Sequence, residues 1–290
     1  MNSRDVIRHP GPENKLRVVS AMGDVAEHSV GVKAGDRLMQ AVAVLMDNAE
    51  CDSGVIVLDG VKVGPFDYVM PGYSKDDSHA AWYSDTYSCA AATLRHATAI
   101  VGRRDGVWWL HCHAIWDAQN AVGIGHLLPD DVTIAADATV TLHAVSGARF
   151  DVALDAETAF PIFHVHGERH EGNALIAKIY PHEDIHTSIE VLIGKAGYTR
   201  ATIYGIGSLI GARFEEGNAM ESPISEVLVP PGATWDGALK LPMICVDTEN
   251  NQYEGTIAKD GAPVTVTFEL MIVDAGSDNV LPDRQFMARR

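Results

Sequence analysis

The stretch LHCHAIWDAQNAVGIGHLL, residues 110–128, is the part of the chain on which the predicted fold and site depend. Apolar residues flank a polar centre, which is typical of a β-hairpin. Because side chains alternate along a strand, His111 and His113 share one face and Cys112 points to the other. His126 lies on the returning strand, so the pattern predicts that two strands bring imidazoles together.

The register of this hairpin decides how the imidazoles meet. Pairing of Trp116 with Ala121 closes a four-residue turn over the polar run DAQN. This register places His111 directly opposite His126, with His113 as the diagonal neighbour. Directly opposed Cβ atoms lie roughly 4.5–5.5 Å apart, so three ring nitrogens can converge on one ion.

Three imidazoles with a fourth position left open are typical of catalytic rather than structural zinc. The spacing therefore predicts a site for zinc or another divalent metal, with His111, His113 and His126 as ligands. A histidine-rich surface hairpin without a metal is the alternative interpretation.

Composition limits the classes of partner. The chain has 290 residues, of which 47% are hydrophobic and 21% are charged, as expected of a globular protein with ample core. Its formal net charge of -17 repels phosphate backbones, so nucleic acid is not an expected partner. A small-molecule substrate is expected instead.

Cysteine usage and hydropathy predict the compartment. The four cysteines are irregularly spaced and form no CxxC motif, which favours buried thiols in a reducing compartment. The N-terminus is polar rather than a signal peptide, and no apolar run is long enough to cross a bilayer. We therefore expect a cytoplasmic protein without a membrane partner.

A strand, a capped helix and a glycine-ended strand occur twice, over 28–64 and 175–211. Asp36 is the predicted N-cap of the first helix, whose apolar stripe has helical spacing, and Asp184 is the predicted cap of the second. Gly60 and Gly64 in the first stretch match Gly207 and Gly211 in the second. The repetition of the whole unit predicts a tandem duplication.

The predicted fold class is α+β, with two tandem copies of a largely antiparallel β-sheet domain that each carry one main helix. The predicted boundaries are an N-terminal extension over 1–27, a first domain over 28–150, a linker over 151–172 and a second domain over 173–290.

The second copy lacks the imidazoles. If Asp117 is matched with Asp247, His111 becomes Leu241, His113 becomes Met243 and His126 becomes Thr256. The loss of all three together favours one functional unit, retained in the first copy alone.

These motifs resemble a known family. KAGD at 33–36 before a helix, HCH at 111–113 and GHLL at 125–128 resemble the plant and prokaryote conserved (PPC) domain, in its prokaryotic type and in tandem. The resemblance implies an antiparallel sheet with a long helix and assembly into a homo-oligomer, a trimer in the family. In prokaryotic members it implies that histidines matching His111, His113 and His126 hold zinc.

The family's plant members bind DNA through AT-hook motifs. This chain has no Arg-Gly-Arg-Pro element and is acidic, so the DNA-binding role is not carried over.

Other histidines are candidate proton carriers. In the preceding hairpin, Asp105-Gly106 predicts a tight turn that places His96 on the imidazole face, opposite Ile115. His79 lies in a long polar loop, 70–88, and is the second candidate acid or base. A structural histidine at a sheet rim and a plain surface loop are the respective alternatives. The role of His164, His166 and His170, in the linker, stays open.

The predicted function is that of a metal-dependent enzyme, of hydrolase or lyase type, acting on a small polar metabolite. A carboxylate substrate would need an arginine or backbone amides, and the sequence identifies neither. The alternatives are a non-catalytic metabolite sensor or scaffold and, by family analogy, a DNA-binding protein.

Overall fold

The structure is a computed structural model that describes residues 6–119 and 121–276. The described part holds two α-helices, α1 (Leu38–Ala49) and α2 (Ile185–Ala196), and a short 3-10 helix, Pro129–Asp131. The strands are β1 Val18–Val32, β2 Ser53–Val57, β3 Lys62–Val63, β4 Phe66–Val69, β5 Pro71–Gly72, β6 Trp82–Tyr83, β7 Tyr87–Cys89, β8 Ala92–Arg104, β9 Val107–Ala118, β10 Ala121–Leu127, β11 Ala138–Ser146, β12 Arg149–Leu154, β13 Pro161–His166, β14 Ala174–Ile179, β15 Arg200–Leu209, β16 Ala212–Arg213, β17 Ala219–Met220, β18 Ser225–Leu228, β19 Thr234–Asp236, β20 Leu239–Lys240, β21 Pro242–Asp247, β22 Gln252–Thr256 and β23 Val264–Asp274.

The predicted α+β class is wrong, because the protein is mainly antiparallel β-sheet. Strands account for 53% of the structure and helices for 10%, so the helices do not balance the sheet. The physical reason is the length of the strands: β1, β8 and β9 run for 15, 13 and 12 residues. Each helix has 12 residues and covers only part of one sheet face.

Strand order is the same in the two halves of the chain. In the first half the antiparallel neighbours run β1-β11-β2-β8-β9-β10. In the second they run β14-β23-β15-β18-β21-β22. Strand β1 joins the two sets, because Val18–Gly23 pair with β14 and Asp24–Val32 pair with β11. Its first part lies within the predicted N-terminal extension.

Buried apolar residues form three layers between these elements. Helix α1 packs through Val42 and Met46 on one face of the first half, and α2 packs in the same way on the second half. A third layer lies between the halves and contains Ile115 and Ile124 from the first and Leu228 from the second. The two sheet regions therefore face each other, with a helix on each outer side.

The two helix starts differ. The Asp184 side chain accepts a hydrogen bond from Thr187 N at 2.8 Å, which confirms the predicted cap of α2. The predicted cap of α1 is wrong: Arg37 is the N-cap and makes no side-chain cap bond. The Asp36 backbone is held in a turn, with its N–H bonded to Lys33 O and its carbonyl accepting from Ile134 N, so the helix begins one residue later.

Among the described residues, neither helix has the length and apolar character that crossing a membrane would require.

Candidate metal centre

The structure brings the three predicted imidazoles together on one face of β9 and β10. Ring centroids lie 4.6 Å apart for His111–His113, 4.8 Å for His111–His126 and 5.3 Å for His113–His126. This face points toward the second half of the chain, into the layer that contains Ile115.

The predicted hairpin register is wrong by two residues. Ala121 pairs with Ala118, so His126 lies directly opposite His113 rather than His111. Strand β9 continues to Ala118, so Asp117 and Ala118 belong to the strand rather than to the predicted turn. Asn120, the last residue of the predicted turn, lies outside the described residues. A shift of two residues keeps each side chain on its face, whereas a shift of one would have moved it to the other. The shared face was therefore predicted correctly from the wrong register.

Glu226 on β18 completes a group of four possible ligands. Its Oε2 lies 2.7 Å from His113 Nε2, and one donor atom from each of the four residues lies within 4.8 Å of all the others. Local sequence patterns do not point to Glu226, because it lies in the other half of the chain. The available signal was a glutamate within a largely apolar segment, ISEVLV at 224–229.

The second half also orients two of the rings. His111 Nδ1 lies 2.7 Å from Glu269 Oε2, and His113 Nδ1 donates to the Val227 carbonyl at 2.7 Å. Glu269 is fully buried, and its other oxygen accepts from the Thr267 hydroxyl at 3.1 Å. Partners that fix ring orientation in this way are typical of histidines that bind metals.

These bonds leave electron pairs facing one another. A carbonyl oxygen only accepts, so Nδ1 of His113 carries the proton and its Nε2 keeps a lone pair in the neutral ring. The same reasoning applies to His111 beside the Glu269 carboxylate. The two Nε2 atoms lie only 2.9 Å apart, with a Glu226 oxygen adjacent. Three acceptors this close repel one another unless a proton or a metal ion lies between them.

The pKa values have the same physical origin. Burial lowers the pKa of His113, but the Glu226 carboxylate and the bond to Val227 raise it above its ordinary value overall. Burial takes the pKa of His126 well below its ordinary value, and the neighbouring imidazoles add to the effect. Burial would raise the pKa of Glu269, but His111 and Lys178 bring it below its ordinary value. The cluster can therefore take up a proton as well as a larger cation.

The residues present fit a divalent metal ion. Beyond the facing Nε2 atoms, the Nδ1 atom of His126 is buried and has no hydrogen-bond partner. An unpaired polar atom of this kind is costly in a protein interior. Imidazole with carboxylate is a donor set used by zinc and by other divalent transition ions.

The other predicted histidines lie outside this group of four. The predicted register of His96 is confirmed, since it pairs with Ile115, but its Nδ1 lies 2.9 Å from Asp59 Oδ2. His79 packs on Trp82 and Phe160, with ring centroids 4.3 and 5.2 Å away.

The linker histidines lie near acidic groups elsewhere. His164 Nε2 lies 3.9 Å from Asp155, His166 Nε2 lies 3.8 Å from Asp151, and His170 is exposed.

The second half offers no equivalent imidazoles, but the predicted correspondence needs correction. Across its hairpin, Pro242 faces Thr256, as His113 faces His126. Leu241 and Met243 instead belong to the core beneath α2, on the opposite face from the site. The match of His126 with Thr256 agrees with the strand pairing, whereas the other two matches are displaced by one residue.

A cavity of about 40 Å³ adjoins the cluster. This volume is enough for a few water-sized groups. Its wall contains His111 and Glu226 from the cluster together with hydroxyl, aromatic and aliphatic residues: Ala81, Trp82, Tyr83, Phe160, Ile162, Gly207, Ser208, Ile224, Ser225, Val266 and Thr267.

Tyr83 links the polar loop to the cluster. Its ring centroid lies 5.4 Å from that of His126, and burial, followed by the charges of Glu226 and Glu269, raises the pKa of its hydroxyl. Strand pairing of Pro71 with Tyr83 holds the loop in place. The polar loop that contains His79 therefore contributes aromatic wall, and not His79 itself, to the cavity.

Comparison with known proteins finds solved structures with partial similarity. One is the metal-containing protein AF0104 from Archaeoglobus fulgidus, at 13% identity, 55% coverage of this chain, 97% coverage of that protein and a TM-score of 0.38. A plant- and prokaryote-conserved (PPC) protein from Pyrococcus horikoshii has 15% identity, 50% and 96% coverage and a TM-score of 0.39. A candidate DNA-binding protein from Ralstonia eutropha JMP134 has 17% identity, 48% and 90% coverage and a TM-score of 0.36.

No known family and no curated protein matches the chain. Each of these three solved structures is similar to about half of it.

Proposed function

We propose that the chain binds one divalent transition-metal ion, with zinc as the first candidate, through His111, His113 and His126. The observation that carries this proposal is the pair of Nε2 atoms 2.9 Å apart, each in a ring held by a partner at Nδ1. Without a cation, this arrangement places lone pairs against each other in a buried site. Three imidazole ligands leave one position for a further ligand or a substrate.

We further propose that the bound ion serves an enzyme of hydrolase or lyase type that acts on a small polar molecule. When bound, such an ion polarises a carbonyl oxygen or activates water. Glu226 lines both the cluster and the cavity, so its carboxylate is placed to accept a proton from a molecule in the cavity. His96 and His79 do not line the cavity, and we therefore assign the proton-accepting role to Glu226.

In this proposal the two halves of the chain supply different groups to the site. The first half supplies the imidazoles, and the second supplies Glu226, Glu269 and the Val227 carbonyl. We infer that the halves are two copies of one unit, over 28–150 and 173–290, whose strand order is shared. Residues 277–290 of the second lie outside the described part of the chain.

Elemental analysis of protein purified without a histidine tag tests the proposal. We expect about one metal ion per chain, as for a single three-histidine site, and loss of that ion in His113→Ala. The matched control is His166→Ala, because His166 is half-exposed and lies in the linker. Wild-type protein without metal, or His113→Ala protein that retains it, would refute the proposal and favour a scaffold.

DNA binding is the other candidate raised by the family resemblance. The net charge of -17 opposes it. Steeply salt-dependent binding to duplex DNA would be the result that favours it.

A further inference from the structure

We propose that the cavity beside the cluster takes a small uncharged molecule with a carbonyl or amide oxygen, and that it discriminates against carboxylates. This inference rests on the proposed function, since it names the class of molecule that reaches the same site. It departs from the carboxylate that the sequence alone left open.

Charge is the first argument. Glu226 is an acidic residue of the cavity wall, and none of the described residues in that wall is lysine or arginine. Glu269 adds a second carboxylate directly behind His111. With neutral imidazoles, these two carboxylates balance the charge of a divalent ion. The cavity therefore has no net positive charge with which to attract an anion.

The buried cation Lys178 is already paired. Lys178 stands opposite Glu269 across the β14–β23 ladder, and its Nζ donates to Asp155 Oδ2 at 3.2 Å. Lys178 and Asp155 are both fully buried, and neither belongs to the cavity wall. A carboxylate in the cavity would therefore meet Glu226 without a side-chain counterion.

Hydrogen bonding is the second argument, because it leaves a neutral donor available. Ser208 Oγ accepts from Val266 N at 3.0 Å, which leaves its O–H to donate to a ligand. The other two serine and threonine hydroxyl groups of the wall are committed: Ser225 donates to Leu209 O and Thr267 donates to Glu269. An uncharged donor suits a carbonyl oxygen.

The remaining wall sets the size and the apolar side of the ligand. Trp82 and Phe160 lie with ring centroids 5.0 Å apart, and Ile162, Ile224 and Val266 complete this side. A cavity of about 40 Å³ holds only a few heavy atoms. A carbonyl compound with a short apolar substituent matches both the polar and the apolar sides.

Acetamide and acetate form a matched pair of probes, because they are nearly identical in size and differ in charge. Ligand-detected NMR would measure the dissociation constants of both on cobalt-loaded and on metal-free protein. We expect the loaded protein to bind acetamide at least about tenfold more tightly than acetate. Ser208→Ala should weaken acetamide binding about five- to tenfold, as for a lost hydrogen bond, and leave acetate unchanged.

Two further variants sharpen the test. Glu226→Gln removes the opposing charge, so acetate affinity should rise toward that of acetamide. Ser29→Ala, at an exposed position on β1, is the control and should change neither. Acetate binding equal to or tighter than acetamide binding overturns the inference. Protein that takes up no cobalt but shows the same preference and the same Ser208 dependence supports the inference and removes only the proposed metal.

Discussion

Glu269→Gln isolates the contribution of the second half to metal binding. Glutamine has nearly the same shape, and its side-chain oxygen can still accept the bond from His111 Nδ1, which lies 2.7 Å from Glu269 Oε2. The substitution removes the negative charge that makes the His111 ring a stronger electron donor. It also leaves Lys178, across the ladder, without the charge of its neighbour.

The size of the effect on metal affinity follows from the position of Glu269, which is hydrogen-bonded to the proposed ligand His111. Loss of such a partner typically weakens metal binding 10- to 100-fold, which corresponds to about 1.4–2.7 kcal/mol of binding free energy. Full burial of Glu269 excludes screening by solvent, so we expect the upper part of this range. Competition with a chromophoric zinc chelator measures the dissociation constant directly.

The control for this experiment is Glu190→Gln on α2. Glu190 is a partly exposed carboxylate paired with Lys259, away from the cluster, so the same chemical change there should leave zinc affinity unchanged. Circular dichroism of both variants checks that the sheet is intact. A folded Glu269→Gln protein whose zinc affinity lies within twofold of wild type would show that the charge behind His111 does not support the site.

Two further predictions concern stability. Asp155→Ala removes the carboxylate that is hydrogen-bonded to the buried Lys178 and should lower the free energy of unfolding in urea by about 3–5 kcal/mol. Asp137→Ala, which breaks an exposed pair, should cost under about 1 kcal/mol. Equal losses would contradict the assigned burial. Burial lowers the pKa of His143 to about 4. As pH falls, this imidazole therefore takes up a proton in the unfolded chain at a higher pH than in the folded protein. Protonation of His143 should therefore lower the free energy of unfolding by up to about 3 kcal/mol between pH ~6.5 and pH ~4. If His143→Gln protein lost as much stability as wild type over this range, the prediction would be refuted.

The parts of the structure that the sequence predicts are those set by local geometry. The common face of His111, His113 and His126 follows from the two-residue period of a strand, and this survived an error of two residues in the register. The turn that pairs Arg104 with Val107 was predicted from Asp105-Gly106 and is confirmed. Such features depend on residues close together in the chain.

The parts that were missed depend on contacts between distant residues. Glu226 and Glu269 reach the imidazoles only because two sheet regions face each other, and no periodicity within either strand reports that approach. The prediction of the fold class was wrong for a related reason. Amphipathic helix patterns are conspicuous in sequence, whereas the continuation of β8 and β9 over 13 and 12 residues is decided by their pairing partners.

The position of the cluster between the halves explains why one half can supply imidazoles to the site while the other supplies none. A buried group of three neutral bases needs acceptors for its ring N–H groups and negative charge to balance a cation. The second half meets both needs through Val227, Glu226 and Glu269. Because both halves belong to one chain, each sheet can specialise, one in donors for a cation and the other in the groups that orient and neutralise them.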